Sequence, residues 1–319
     1  MGQLVDGVWQ TETLEVRSKD GSFVRADTQF RDQITADGAS GFKAEKGRYH
    51  LYISLACPWA HRTLIYRQLK GLEDAISVSV VDPFMADQGW QFGDSEGCIA
   101  DPLFAAGYMY EIYTQARSDY SGRVTVPVLW DRERATIVSN ESSEIIRMMN
   151  SEFAALTAET PDYCPLELRS EIDAVNDRVY ADINNGVYRT GFAAAQRAYE
   201  QAFDQLFAAL DWLEERLRTR RYLCGAQLTE ADWRLFPTLV RFDPVYFGHF
   251  KCNLRRIADY PCLSSYLREL YQIPGIAELC NFRHIKEHYY RSHESLNPTR
   301  IVPRGPEMYL NQPHDRDQL

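Results

Sequence analysis

A cysteine–proline step at the seam between two hydrophobic periods limits this chain more than any other feature. Residues 48–54 (RYHLYIS) alternate in the period-two pattern of a strand. Leu55, Ala56 and Cys57 follow, and from Pro58 the run PWAHRTLIYRQLK is helical in character until Gly71. Proline suits the first turn of a helix, because the N–H it lacks would have no intrahelical partner there. Residues 76–82 (ISVSVVD) then read as a second strand. Strand, helix and strand within about 35 residues make a βαβ unit, with a right-handed crossover and parallel strands.

The elements that follow extend this unit. Residues 1–48 are rich in Gly, Asp, Ser and Thr with little periodicity, so an arm with little regular structure is expected. Residues 83–122 form a loop-like excursion, and an insertion of about 40 residues in a compact domain tends to be functional. Residues 124–130 (VTVPVLW) and 135–139 (ATIVS) predict two strands joined by the charged turn DRER, and 141–150 a closing helix. The order β-α-β-insertion-β-β-α is thioredoxin-like and occupies 49–150. A polar, proline-containing linker (151–165) leads to helical periodicity over 167–184, 193–218, 229–241, 263–271 and 282–288. Thr229 with Asp232 reads as a capping-box variant, flanked at staple positions by Leu228 and Trp233. The expected fold class is α+β: a thioredoxin-like N-terminal domain, then an all-helical domain (166–292) and a proline-rich tail (293–319). That combination is the glutathione-transferase architecture.

Charge and cysteine usage narrow the chemistry. A net charge of -10 does not suit a phosphate backbone, so no nucleic-acid partner is expected. No window approaches the ~20 apolar residues of a membrane span. The N-terminus lacks the charged and apolar regions of a signal peptide, and Asp6 fails the myristoylation pattern. Seven cysteines, Cys57, Cys98, Cys164, Cys224, Cys252, Cys262 and Cys280, are an odd number without CxxC or zinc spacing. Reduced thiols in a cytoplasmic protein, with no metal site, are the simpler expectation.

Among these thiols Cys57 is set apart by position. At the start of a helix its sulfur faces N–H groups and the positive end of the helix dipole, which favour the thiolate. The thiolate is the attacking species in thiol–disulfide exchange. Position 60 holds Ala60, so no internal partner resolves a disulfide, and an external thiol such as glutathione must. The plain alternative is a buried cysteine that fills space. Val126-Pro127 follows by the right number of elements to be the cis-proline step by which thioredoxin-like proteins present backbone to a peptide-like ligand. Glu141 and Ser142 stand where a helix start can hold a carboxylate and an ammonium, both borne by the γ-glutamyl end of glutathione. Equally, Ser142 or Ser143 caps the helix and Glu141 faces solvent. Arg123 and Trp90 can add a carboxylate fork and an apolar wall. The helical half is rich in tyrosine, which can bind an aromatic ring and give a proton to a phenolate, although most tyrosines serve packing.

The chain resembles the glutathionyl-hydroquinone reductases, also called Xi-class or omega-like glutathione transferases. The resemblance runs through FRDQITADG (30–38), GRYHLYISLACPWAHRTLI (47–65), RVTVPVLWD (123–131) and SNESSEIIRM (139–148). It continues in NNGVYRTGFA (184–193), LTEADWRLFPTLVRFDPVY (228–246) and HIKEHYYRSHESLNPTRIVP (284–303). It implies Cys57 as the nucleophile, with glutathione as co-substrate bound by Trp90, Arg123, Val124, Thr125, Val126, Pro127, Glu141 and Ser142. It implies that Tyr188 exchanges a proton with the hydroquinone while Tyr246 and Tyr289 steady the Cys57 thiolate. Tyr290 joins these three as a hydroquinone-binding candidate, and the resemblance also implies a homodimer. Two other readings stay open at this point, a transferase that conjugates glutathione to electrophiles and a non-catalytic interaction domain.

Overall fold

A computed structural model describes residues 2–11 and 18–319; the expected arm's residues 1 and 12–17 lie outside that set. The described part of the arm has little regular structure, as expected, beyond one short hairpin. Gln3–Val5 (β1) and Val8–Gln10 (β2) pair antiparallel, Leu4 opposite Trp9. The turn between them is Asp6-Gly7, both at positive φ (48° and 76°), which is the backbone a two-residue hairpin needs. One compact unit gathers Met1–Glu15, Ala26–Pro161 and Asn281–Ser292, and a second gathers Val16–Arg25, Asp162–Cys280 and His293–Leu319.

In the first unit the βαβ pattern forms as Tyr49–Ile53 (β3), Pro58–Leu69 (α1) and Ile76–Val80 (β4). The excursion is more than loop, since Met109–Ala116 (α2) is a helix. Its Met109, Ile112 and Tyr113 are buried at three-to-four spacing. Val128–Asp131 (β5), Thr136–Ser139 (β6) and Ser142–Ser151 (α3) complete the order. The sheet runs β4-β3-β5-β6, with β3 and β4 parallel from Tyr49–Ile76 to Ile53–Val80 and the other pairs antiparallel. All five residues of β3 are buried, as a central strand covered on both faces requires. The strand expected from 124 starts instead at Val128, because Pro127 has no N–H for a ladder; the Val126-Pro127 peptide bond is cis. At one end of the sheet Arg48 forks onto buried Asp131 at 2.6 and 3.0 Å.

The second unit is helical among its described residues. The helix expected at 167–184 divides into Arg169–Arg178 (α4) and a wider π-helical turn, Val179–Asn184, before Gly186–Gly191 (α5). Gln196–Leu217 (α6) and Glu230–Arg241 (α7) follow, then a second π turn, Phe242–Tyr246, the short Phe247–His249 (α8), and Pro261–Gln272 (α9). The capping box at Thr229 is present: its N–H and hydroxyl donate to Asp232 Oδ2 at 2.7 and 2.9 Å. The other oxygen of this fully buried carboxylate accepts from Leu223 N–H (2.9 Å) and the Tyr266 hydroxyl (2.7 Å). The last helix, Phe282–Ser292 (α10), runs four residues past its expected end and belongs to the first unit.

Candidate active site

Cys57 is the N-cap of α1, in extended backbone (φ −75°, ψ 123°), with Pro58 as first helical residue. Its N–H donates to the Ser54 carbonyl at 3.1 Å and its carbonyl accepts from His61 N–H at 3.0 Å. The sulfur is left at the helix start, 3.4 Å from the carbonyl oxygen of Val126, the residue before the cis proline. The other thiols contrast with it. Burial, with Asp82 beside it, pushes Cys98 up to about 11, and burial pushes Cys224 to about 11 and Cys280 to about 12. Cys252 and Cys262 are raised by burial too.

The segment beside Cys57 is gripped from the insertion. The Tyr120 hydroxyl donates to the Arg123 carbonyl at 3.1 Å. The Tyr113 hydroxyl donates to the Thr125 carbonyl (2.9 Å) and accepts from Thr125 N–H (3.2 Å) and Asn140 Nδ2 (3.0 Å). Asn140 leads into Glu141, the N-cap of α3. Glu141 Oε1 accepts from the N–H and hydroxyl of Ser143 at 3.0 and 2.8 Å, and Oε2 lies 3.5 Å from the Thr28 hydroxyl. The capping role weighed for a serine therefore falls to the glutamate, while Ser142 is buried in the first helical turn. Trp90 is buried against His288 of α10, rings stacked at 4.7 Å, and His288 Nδ1 lies 3.0 Å from the Pro83 carbonyl. Two further α10 contacts, Met85 N–H to Ser292 (2.9 Å) and His284 to the Glu96 carbonyl (2.7 Å), bind the helix to the loop that carries Trp90.

The tyrosines divide between the units. Tyr289 and Tyr290 sit on α10 in the first; Tyr289 is buried edge-on to His288, and burial raises the Tyr290 phenol. Tyr188 and Tyr246 lie in the second, 6.1 Å apart between ring centroids, each 5.4 Å from Phe250. Phe23 and Arg25 extend this cluster, the guanidinium 5.0 Å over the Tyr188 ring and donating to Asn185 at 2.8 Å. The first unit thus holds Cys57, Trp90, Arg123, Val124, Thr125, Val126, Pro127, Glu141, Ser142, Tyr289 and Tyr290. Sequence reasoning passed over Tyr113, Asn140 and His288, and over Phe23 and Arg25 in an arm without periodicity. Among the described residues no group of three His, Cys, Asp or Glu is placed to hold a metal ion.

A thioredoxin-like unit, with a helix-start cysteine 3.4 Å from the carbonyl of the residue before the cis proline, followed by a helical unit, is the glutathione-transferase fold. The comparisons agree. The model for the glutathione S-transferase N-terminal domain matches residues 56–152 and that for the C-terminal domain residues 196–269. The chain is 55% identical to the glutathionyl-hydroquinone reductase YqjG of Escherichia coli (strain K12) over 99% of both chains. It is also 55% identical to the glutathionyl-hydroquinone reductase PcpF of Sphingobium chlorophenolicum over 96% of each. The glutathione-bound structure of YqjG superposes with a TM-score of 0.92 at 54% identity, covering 99% of both chains. A Xi-class glutathione transferase from Natrialba magadii superposes at 0.95 and 50% identity, over 100% of this chain and 97% of that one. This chain belongs to the glutathione S-transferase family, in the Xi class that contains the glutathionyl-hydroquinone reductases.

Proposed function

We propose that this protein is a glutathionyl-hydroquinone reductase with Cys57 as its nucleophile. The observation that carries the reading is the Cys57 sulfur at the start of α1, 3.4 Å from the Val126 carbonyl, with alanine where a resolving cysteine would stand. The thiolate attacks the sulfur of a glutathionyl-hydroquinone. A Cys57–glutathione disulfide forms, the sulfur–ring bond breaks, and its electron pair stays with the ring carbon. That carbon takes a proton, supplied by Tyr188, and hydroquinone leaves. The thiolate of a second glutathione then attacks the mixed disulfide, releasing oxidised glutathione and the Cys57 thiolate. One proton is taken up in the first step and one lost from glutathione in the second, so the cycle balances.

Glutathione lies along Arg123, Val124, Thr125, Val126 and Pro127 with its peptide groups paired to Val126. Its γ-glutamyl end rests at Glu141 and Ser142 and its apolar stem on Trp90. Tyr246 and Tyr289 steady the thiolate, and Tyr188, Tyr246, Tyr289 and Tyr290 hold the aromatic ring. A homodimer in the cytoplasm completes the reading. No helix among the described residues is long and apolar enough to cross a membrane. Mass spectrometry of the protein mixed with a glutathionyl-hydroquinone, without free glutathione, tests the first half-reaction. One glutathionyl group on Cys57 with hydroquinone released is expected, and Cys57→Ala is expected to gain none. An unmodified Cys57, or a fully active Cys57→Ala, overturns the mechanism.

A further inference from the structure

The insertion at 83–122 meets the proposed glutathione site through two phenols. A tyrosine hydroxyl offers one donor and two acceptor positions. At Tyr113 they meet the Thr125 carbonyl, the Thr125 N–H and Asn140 Nδ2, with the Thr125 hydroxyl also at 3.2 Å, inside a fully buried environment. One atom thereby joins two stretches of chain: the segment that ends at the cis proline, and the turn that leads into Glu141. The ring is fixed by edge contact with Phe30 (5.9 Å) and a tilted contact with Tyr120 (5.1 Å). Asn140 is fixed in turn, its Oδ1 accepting from Phe30 N–H at 3.3 Å. The Tyr120 hydroxyl takes the Arg123 carbonyl two residues upstream of Thr125. A Cβ at Gly122 would stand 2.8 Å from that hydroxyl, so glycine lets the backbone approach it.

The polar backbone groups of Arg123 and Thr125 that are gripped this way contrast with the Val126 carbonyl, which lies on the Cys57 sulfur. We infer that Tyr113, assisted by Tyr120, is a positioning residue for glutathione: it sets the spacing between the Val126 backbone and the Glu141 turn, and so presents both ends of the tripeptide site to one ligand. The inference rests on the proposed glutathione-binding reading and gives the insertion its role. A hydroxyl that merely filled its niche would affect stability alone, whereas a spacer between two half-sites affects affinity as well.

The test is calorimetric titration of the full-length protein with S-methylglutathione, whose methyl group, unlike a hydroquinone ring, cannot leave when Cys57 meets the sulfur. Tyr113→Phe keeps the ring and loses every hydrogen bond, and is expected to weaken binding about 10-fold. Tyr120→Phe loses the Arg123 bond and is expected to weaken it about 3-fold. Ile112→Val, a fully buried neighbour on α2, is the control: it lowers the melting temperature and leaves affinity unchanged. Wild-type affinity in Tyr113→Phe, or an equal loss in Ile112→Val, overturns the positioning role while leaving the glutathione reading intact. No binding by the wild type overturns both. If Tyr113→Phe does not fold, Tyr120→Phe and Asn140→Ala decide, and wild-type affinity in both overturns the inference.

Discussion

A short pulse of iodoacetamide at pH 7 should label Cys57 well ahead of the other thiols, and the structure gives the margin. A thiol at the ordinary value of about 8.5 is roughly 3% thiolate at pH 7, and that fraction is the reference taken for a sulfur at a helix start. Cys98, part-buried like Cys262, is pushed up to about 11. Its thiolate fraction is then about 10⁻⁴, some 300-fold lower on the definition of a pKa. The more basic thiolate is the better nucleophile, and a Brønsted slope of about 0.45 returns roughly 13-fold, leaving Cys57 ahead by about 20-fold. Cys224 and Cys280, deeper and at about 11 and about 12, trail further. The assay is quenched labelling followed by peptide mass spectrometry, scored as the ratio of alkylated Cys57 peptide to alkylated Cys98 peptide over time. Equal rates for the two would refute the assignment of Cys57 as the reactive thiol.

Two further outcomes are expected. Glu141→Gln should raise the KM for glutathione by about 5- to 20-fold with little change in stability, because the amide keeps an oxygen for Ser143 N–H and loses the charge offered to an ammonium; steady-state kinetics and a melting curve check both halves. Acid should destabilise the first unit between pH 6.5 and 4. His50, hydrogen-bonded to Ser77 and Ser79 at 2.7 and 2.9 Å, is lowered to about 4 by burial and then by Arg132. In that window the unfolded chain takes up a proton that the folded histidine refuses. Stability therefore falls as pH falls, by at most about 3 kcal/mol, and urea titrations at pH 7 and 4.5 on wild type and His50→Gln measure it.

Much of the framework was legible because its signals are local. Period-two alternation, then Pro58, then Gly71 announced β3, α1 and the place of Cys57 before any contact was known. Thr229 and Asp232 announced the start of α7 in the same way, and the buried carboxylate there does cap as its spacing implied. Asp6-Gly7 was an equally local hairpin signal hidden in a polar arm. The helix α2 was harder, since its buried Met109, Ile112 and Tyr113 stand in a stretch dominated by glycine, aspartate and aromatics, where three apolar residues do not make a clear period. Tyr113 itself had no distinguishing mark. Among 19 tyrosines, the one whose hydroxyl is saturated by two separate loops is known only when Thr125 and Asn140 are brought together in space.

That division between local and assembled signals follows the chemistry of the proposed reaction. A lone nucleophilic thiol needs a helix start, which a dozen consecutive residues can build. With Ala60 in place of a resolving cysteine, every second sulfur must arrive on a ligand, and capture of that ligand depends on positions far apart in sequence. The stretch leading to Val126 is held where Tyr113 takes Thr125 and Tyr120 takes Arg123, and Trp90 owes its place to His288 on a helix nearly two hundred residues later. Burial meanwhile holds five of the remaining thiols above the ordinary range, which lowers their thiolate fraction. Reactivity is therefore written in one short motif and affinity in a network that closes only in the folded chain. A change within that network, such as Tyr113→Phe, is expected to cost affinity for glutathione while leaving the cysteine at its helix start.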